Sequence, residues 1–422
     1  MMYVNDEFYD NQQFGEFYRQ FDAKPEIRHC RGRRLAICLS NTAQTTALVL
    51  YLRERGGSVV PLHPTMPLEA ARRAASNAES HILIYDDIDH IEILHPTSGT
   101  VPAGLVQFSS GSTGEPKRIE RSWEDIDEEI KHYNAALQQA KDMTPVVTCP
   151  ITHSYGLLCG VLSTFKRGQQ PLVLTELNPK YVLRKLRQTP NALLYSSPTM
   201  LNVLTKLLPA NESLYAVMTS GSVLPAPQFK ELSQKTQFLF QQYGCSEAGC
   251  IAVNLNTQSA NGMGQPLGHL TVKASGNSDT PSEIVVSTGQ KQVATQDLGY
   301  FDNQGVLHFM SRLDDTINVA GINVYPQEVE DVLLTYPEIT DAVVFKKPDQ
   351  FAGERVCLKF VADKTISQQI LRDWCAQKLS PYQLPVDIEQ VEVINKLANG
   401  KVNRRLLAQE QIDLMQKVSQ SA

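Results

Sequence analysis

Leu35-Ala36-Ile37-Cys38-Leu39, then Ala43 to Arg55, Ser58 to Leu62, Leu68 to Ala78 and His81 to Tyr85, form a series in which short apolar runs alternate with longer amphipathic stretches. That is a β-α-β-α-β rhythm, the signature of a parallel sheet with crossover helices. The same rhythm recurs around Val146 to Cys149, Pro171 to Leu174, Ala192 to Tyr195 and Tyr215 to Ser220. Beyond about Asn261 the chain becomes polar, Gly-rich and strand-like, through Glu283 to Ser287 and Val306 to Met310. A third texture starts near Arg312: a helix over 326–335, strands over 342–345 and 355–361, and a helix over 366–378 predict a small α+β unit. The fold class is therefore α/β, with a large N-terminal domain of parallel sheets over residues 1–311. A smaller α+β C-terminal domain follows over 312–422, the boundary falling at the Arg-Leu-Asp-Asp run. No internal repeat or low-complexity tract interrupts this organisation.

The chain has 422 residues, with 39 Lys+Arg against 45 Asp+Glu and a net charge of −6, which excludes a basic nucleic-acid-coating protein. Its 42% hydrophobic and 20% charged content are those of a globular protein. At roughly 150 residues per domain the length predicts two or three domains. Cys30, Cys38, Cys149, Cys159, Cys245, Cys250, Cys357 and Cys375 are scattered without a C-x-x-C pair or a His-flanked cluster, the pattern of reduced, mostly buried thiols in a cytosolic protein. Met1 to Phe21 is acidic and aromatic, with neither the basic nor the apolar region of a signal peptide. No apolar run approaches the roughly 18 residues of a membrane span. The expectation is a cytoplasmic protein with no membrane insertion and no nucleic-acid partner.

The densest chemical signal is Ser109-Ser110-Gly111-Ser112-Thr113-Gly114-Glu115-Pro116-Lys117, after the apolar run Leu105 to Phe108 and before the N-cap pattern Ser122-Trp123-Glu124-Asp125. Such a loop offers backbone N–H groups and hydroxyls to an anion, with Lys117 adding charge. It is not a Walker A loop, because Pro116 stands where that motif needs Gly. By itself it reads equally as a surface turn.

The nine residues resemble the phosphate-contacting signature of the adenylate-forming superfamily of acyl-CoA synthetases, aryl-CoA ligases, luciferases and peptide-synthetase adenylation domains. The family's other signatures follow in the same order. Thr219-Ser220-Gly221-Ser222-Val223-Leu224-Pro225 resembles the segment that lies against adenine and the acyl group. Gln242-Tyr243-Gly244-Cys245-Ser246-Glu247 resembles Tyr-Gly-x-Thr-Glu, with Ser246 for the usual Thr. The resemblance implies that Tyr243 stacks on adenine and that Glu247 holds Mg²⁺, for which a carboxylate is a suitable hard ligand. Thr295-Gln296-Asp297-Leu298-Gly299-Tyr300 resembles Thr-Gly-Asp-Leu-Gly-x, in which Asp297 would accept from the ribose hydroxyls. Gln296 replaces a Gly there, a departure that matters if the backbone needs positive φ. Ser311-Arg312-Leu313-Asp314-Asp315-Thr316-Ile317 resembles the hinge motif Gly-Arg-x-Asp-Asp-x-Ile, making Arg312 a ribose contact and Asp314 the pivot of a mobile C-terminal domain. Its continuation through Asn318-Val319-Ala320-Gly321 is closest to the acyl-CoA synthetase branch, with Gly321 facing the pantetheine arm of the thiol. Asn399-Gly400-Lys401-Val402-Asn403-Arg404 matches the C-terminal loop whose Lys reaches the reacting carboxylate and α-phosphate. In fold terms, the resemblance adds a small distorted barrel to the N-terminal domain.

The implied chemistry is activation of a carboxylic acid by ATP to acyl-AMP, then transfer to a thiol, with Lys401, Glu247 and Thr113 as the catalytic set. Ser109, Ser110, Gly111, Ser112, Thr113, Gly114, Lys117, Ser220, Gly221, Ser222, Tyr243, Gly244, Ser246, Asp297 and Arg312 would bind the nucleotide. His153, Tyr155, Gly156, Ser220 and Gly244 would line the acid pocket, because Ile151-Thr152-His153-Ser154-Tyr155-Gly156-Leu157 resembles the His-x-Tyr-Gly segment of acyl- and aryl-CoA ligases. Amino-acid-activating members carry an Asp shortly after this point, whereas Leu157-Leu158-Cys159-Gly160 offers no acid. A buried ammonium would be uncompensated there, which favours a non-amino acyl or aryl acid. The cofactors implied are ATP and Mg²⁺, with CoA as acceptor or, alternatively, the phosphopantetheine of an acyl carrier protein. Typical members are longer; the shortening here falls before Leu35, between Tyr85 and Leu105, and between Gly249 and Thr295.

Overall fold

The strand Arg34–Leu39 is buried at every position, as a central strand of a parallel sheet covered on both faces must be. The computed structural model describes residues 1–94, 99–109, 117–289, 291–397 and 401–421, with side chains through 413 except that of residue 109. Arg34–Leu39 pairs in parallel with Ser58–Pro61 and Ile82–Asp86, and Ser58–Pro61 pairs in turn with Gly104–Ser109. Helices Thr42–Glu54 and Leu68–Asn77 make the crossovers, so the rhythm read from Leu35 to Tyr85 builds the three central strands of a six-stranded sheet. Its edges are antiparallel: Ile91–Ile93 lies beside Ile82–Asp86, and Lys117–Ser122 beside Gly104–Ser109. Arg34 extends the first strand by a charged residue that is 1% exposed. It is tolerated because its Nε donates to Ser58 Oγ at 3.2 Å and its Nη2 to Glu120 Oε2 at 2.6 Å, the compensation a buried charge requires.

The second sheet has thirteen strands. Thr144–Val147, Ala192–Ser196, Leu214–Thr219 and Thr236–Cys245 run parallel, with Leu172–Val173 added beside the first. Met2–Val4 pairs with Leu172–Val173, and Glu7–Tyr9 folds back on it. The segment before Leu35 thus belongs to the main core, where Met2, Phe14 and Phe21 pack with Leu48, Tyr51 and Tyr195. Past Thr236–Cys245 the sheet turns antiparallel through Gly249–Asn254, Gly262–Pro266, Leu307–Arg312, Lys291–Phe301, Ser282–Thr288 and Leu270–Lys273. This strand-rich section continues the large sheet as an antiparallel extension, and most of it is the polar stretch read beyond Asn261.

Leu307–Arg312 closes the large sheet, and Ile317–Val319 opens a separate five-stranded one with Ile322–Val324, Ile339–Asp349, Gly353–Ala362 and Asp387–Gln390. Helices Pro326–Leu333, Gln368–Ala376 and Arg404–Ser421 accompany it, around a distinct core that includes Val344, Leu358, Phe360 and Leu371. Among the described residues no helix is long and apolar enough to cross a membrane, and all eight cysteines are free.

Candidate active site

The strands flanking the Ser109–Lys117 loop pair with Ser109 opposite Lys117, so the loop's two ends are held face to face. Ser110, Gly111, Ser112, Thr113 and Gly114 lie outside the described residues, and so do Asn399 and Gly400. Lys117 projects from the start of Lys117–Ser122 and brings its Nζ within 3.2 Å of Glu247 Oε1. Glu247 rides on the turn between Thr236–Cys245 and Gly249–Asn254. The two residues come from different sheets, so their meeting is a product of the tertiary fold.

At the other side of that turn Tyr243, 7% exposed, donates its hydroxyl to Asp297 Oδ2 at 2.6 Å. Arg312 Nη1 donates to Asp297 Oδ1 at 2.9 Å and to the Thr295 carbonyl at 3.2 Å. Three residues singled out in sequence therefore form one cluster, placed by the antiparallel pairing of Asp297 with Arg312. Burial pushes the Asp297 carboxyl above the usual carboxylate range, against the pull of Tyr243, Arg312 and Lys401. Burial also raises the Tyr243 phenol, keeping it a neutral donor. Each Asp297 oxygen retains a second lone pair for a further donor.

Gln296 adopts φ of +62°, the left-handed backbone for which the family's Gly is suited. Its N–H donates to Glu283 Oε1 at 3.0 Å and its carbonyl accepts from Leu313 N at 2.8 Å, bonds that hold the strained residue in place.

Lys401 shows solvent-accessible surface, yet protein packed around its ammonium lowers its pKa, while Asp297 and Asp315 act in the opposite sense. Its carbonyl accepts from Leu397 N at 2.8 Å. The lysine of the small sheet's domain thus lies within electrostatic reach of the Asp297 and Arg312 cluster of the large one. Asp314 bridges the two: its Oδ2 lies 3.0 Å from Arg405 Nη2 and its Oδ1 3.5 Å from Arg312 Nε. Asp315 lies 3.5 Å from Arg404, which also binds Glu330 through 2.7 and 2.9 Å bonds. Arg405 carried no sequence signal, because its partner Asp314 lies far away in the chain.

Ser220, Gly221 and Ser222 follow the strand Leu214–Thr219, with Gly221 at φ of +96° and open space where a Cβ would point. Gly244 is required sterically, since a Cβ there would lie 2.3 Å from the Gly249 carbonyl oxygen. Ser246 is half-buried on the same turn. Gly156 lies in the first turn of a π-helical segment, Tyr155–Leu162, packed so closely that a Cβ would lie 2.4 Å from the Pro150 carbonyl oxygen. The Tyr155 hydroxyl donates to the Met218 carbonyl. His153 has an open outer face, yet the surrounding protein, aided by His63, lowers its pKa. Gly321, at φ of +87° after Ala320 at +52°, forms the turn between Ile317–Val319 and Ile322–Val324. Burial lifts the Cys245 thiol to about 12, which argues against a thiolate nucleophile at the site.

Over 408 residues the chain is 37% identical to the 3,4-dihydroxybenzoate–[aryl-carrier protein] ligase of Bacillus anthracis, covering 96% of this chain and 98% of that one. It is 25% identical over 320 residues to the 2-succinylbenzoate–CoA ligase of Lactococcus lactis, covering 72% of this chain and 70% of that one. The fold matches the crystal structure of ATP-bound MatB from Rhodopseudomonas palustris with a TM-score of 0.85 and 17% identity, over 98% of this chain and 96% of that one. The protein is a ligase. It belongs to the AMP-binding enzyme family, whose main domain matches residues 102–283 and whose C-terminal domain matches residues 328–401.

Proposed function

We propose that the protein activates a non-amino aryl acid as its acyl-adenylate and loads it onto the phosphopantetheine thiol of a carrier protein. The end-to-end match at 37% identity to an aryl-carrier-protein ligase carries this reading, against 25% for the CoA ligase above. A hydroxylated benzoate such as 3,4-dihydroxybenzoate is the first acid to test. CoA remains the alternative acceptor, favoured by the Ile317-Asn318-Val319-Ala320-Gly321 segment.

Carboxylate and ATP are both anionic, so their reaction needs charge neutralisation more than covalent help. A carboxylate oxygen attacks the α-phosphorus and pyrophosphate leaves. Lys401 would hold its positive charge against the α-phosphate, while Lys117 and the hydroxyls of Ser112 and Thr113 hold the outer phosphates. Losing one such preorganised group typically costs about 10²–10³ in rate. Mg²⁺ on the nucleotide would supply further charge neutralisation. Glu247 suits it as a single protein carboxylate sharing the ion with phosphate oxygens, and among the described residues no cluster could hold a metal alone. Asp297, fixed by Tyr243 and Arg312, would accept from the ribose hydroxyls. In the second step a thiol attacks the acyl carbon of the adenylate and AMP leaves. Pivoting of residues 312–422 about Asp314 would withdraw Lys401 and present the Gly321 turn to the pantetheine arm.

Carboxylate-dependent pyrophosphate exchange across a panel of benzoates, aliphatic acids and amino acids tests the first step. AMP release with CoA and with a holo aryl carrier protein tests the second. Exchange with amino acids alone would overturn the acid class, and preference for CoA would overturn the acceptor.

A further inference from the structure

Glu129 lies on the core side of helix Trp123–Ala136, 1% exposed, and the chemistry above does not use it. Its Oε2 accepts from Arg121 Nη2 in a buried ion pair, and its Oε1 accepts the backbone N–H of Cys250 at 2.8 Å. Arg121 sits in the strand Lys117–Ser122 that leaves the phosphate loop, and Cys250 in the strand Gly249–Asn254 that follows the Glu247 turn. One buried pair therefore grips both segments that bring Lys117 and Glu247 to within 3.2 Å of each other. The packing leaves no slack. At Gly249, where φ is +74°, a Cβ would fall 2.3 Å from Glu129 Oε2 and 2.5 Å from Arg121 Nη1. Across the turn, Gly244 has no room for a Cβ against the Gly249 carbonyl oxygen. Any shift of the pair is thus passed directly to the turn bearing Glu247.

A buried ion pair is a poor source of stability, because an apolar pair of similar volume is often as stable or more so. What an apolar pair lacks is a directional hold on the Cys250 amide. We propose that Arg121 and Glu129 are positioning residues that fix Lys117 and Glu247 relative to each other, and through them the binding of metal-complexed ATP. The proposal rests on the reading of Lys117 and Glu247 as phosphate and metal contacts.

Calorimetric titration of ATP into the full chain, with Mg²⁺ and with EDTA, tests it. Arg121→Met/Glu129→Gln keeps an acceptor for Cys250 N–H, and Arg121→Met/Glu129→Leu removes it. The glutamine variant is expected to retain the gain in ATP affinity that Mg²⁺ confers. The leucine variant is expected to lose about tenfold with Mg²⁺, the scale typical of groups that orient a metal ligand, and little in EDTA. Glu129→Asp keeps the charge but retracts the carboxylate from Cys250; it should show the same loss, and it decides the matter if the leucine variant does not fold. Retention of the Mg²⁺-linked affinity within twofold by Glu129→Asp, or by a folded leucine variant, overturns the proposal. Absence of ATP binding by the unmodified chain would instead remove the functional reading itself.

Discussion

Asp331 offers a direct test of how the two parts of the molecule are held with Lys401 facing Asp297. It lies in the C-terminal helix Pro326–Leu333, and its Oδ1 accepts the N–H of Ala226 at 2.8 Å. Ala226 begins the helix Ala226–Gln234 of the large domain, which has Pro225 at its N-cap and no side-chain cap of its own. The small domain therefore caps a helix of the large one, with Gln327 Nε2 steadying the same oxygen at 2.9 Å. Loss of such a cap costs about 1 kcal/mol, and burial, which raises the Asp331 pKa, offsets part of it. About 0.5–1 kcal/mol remains, or a two- to fivefold shift in population at about 1.4 kcal/mol per tenfold. Asp331→Ala should slow carboxylate-dependent pyrophosphate exchange by that factor. Transfer from preformed acyl-adenylate to the thiol, followed in a single turnover, should be unchanged or faster, and Asp331→Asn, which keeps an acceptor oxygen, should restore exchange. Equal slowing of both half-reactions, or unaltered exchange, would refute the idea that this contact selects the arrangement.

Three further outcomes follow from the site. Because burial lowers the Lys401 pKa, its ammonium loses its proton at lower pH than a free lysine does. The exchange rate should then fall on an alkaline limb below about pH 10.4, and Lys401→Arg should remove the limb from a pH–rate profile. Gln296→Gly should relieve about 1–2 kcal/mol of left-handed strain against about 0.5–1 kcal/mol of added chain entropy. A higher denaturant midpoint is expected, and a lower one would show that the glutamine side chain contributes more than its backbone costs. Asp314→Pro should impair thioester formation while sparing adenylation, measured as separate half-reactions; equal loss in both would count against a hinge at this residue.

The β-α-β rhythm was legible because period and strand length are local properties, and Leu35 to Tyr85 emerges as written. Met2–Val4 was not, since a three-residue strand has no period and draws its stability from Leu172–Val173, far along the chain. Arg34 is not legible as a strand residue, because a charge reads as exposed until Glu120 and Ser58 are seen beside it. At the site, the residue types of Asp297, Tyr243 and Arg312 were legible, whereas their mutual bonding was not. The Gly-to-Gln departure at 296 could be flagged from sequence, but only the backbone shows that it falls at positive φ. Glu129 did leave a trace: it interrupts the apolar stripe Ile126, Ile130, Tyr133 of its helix, and a carboxylate in such a stripe needs a partner.

The cluster's position shows how the residues of the proposed site are held independently of the surface elements between them. Lys117 ends one sheet, Glu247 and Tyr243 flank a turn of another, and Lys401 arrives from the third. Those of the large domain are fixed by local contacts: Lys117 by the pairing of Ser109 with Lys117, Tyr243 and Glu247 by the Gly244 and Gly249 close approach, and Asp297, the partner of Tyr243, by its register with Arg312. Such restraints are indifferent to the length of the loops between them. The C-terminal domain, whose pivoting the proposed reaction needs, meets the large domain through a polar contact at its edge, from Asp331 to the Ala226 N–H. An apolar seam there would hold one arrangement too firmly for the two successive half-reactions proposed, whereas a hydrogen bond of about 1 kcal/mol would allow both to be populated.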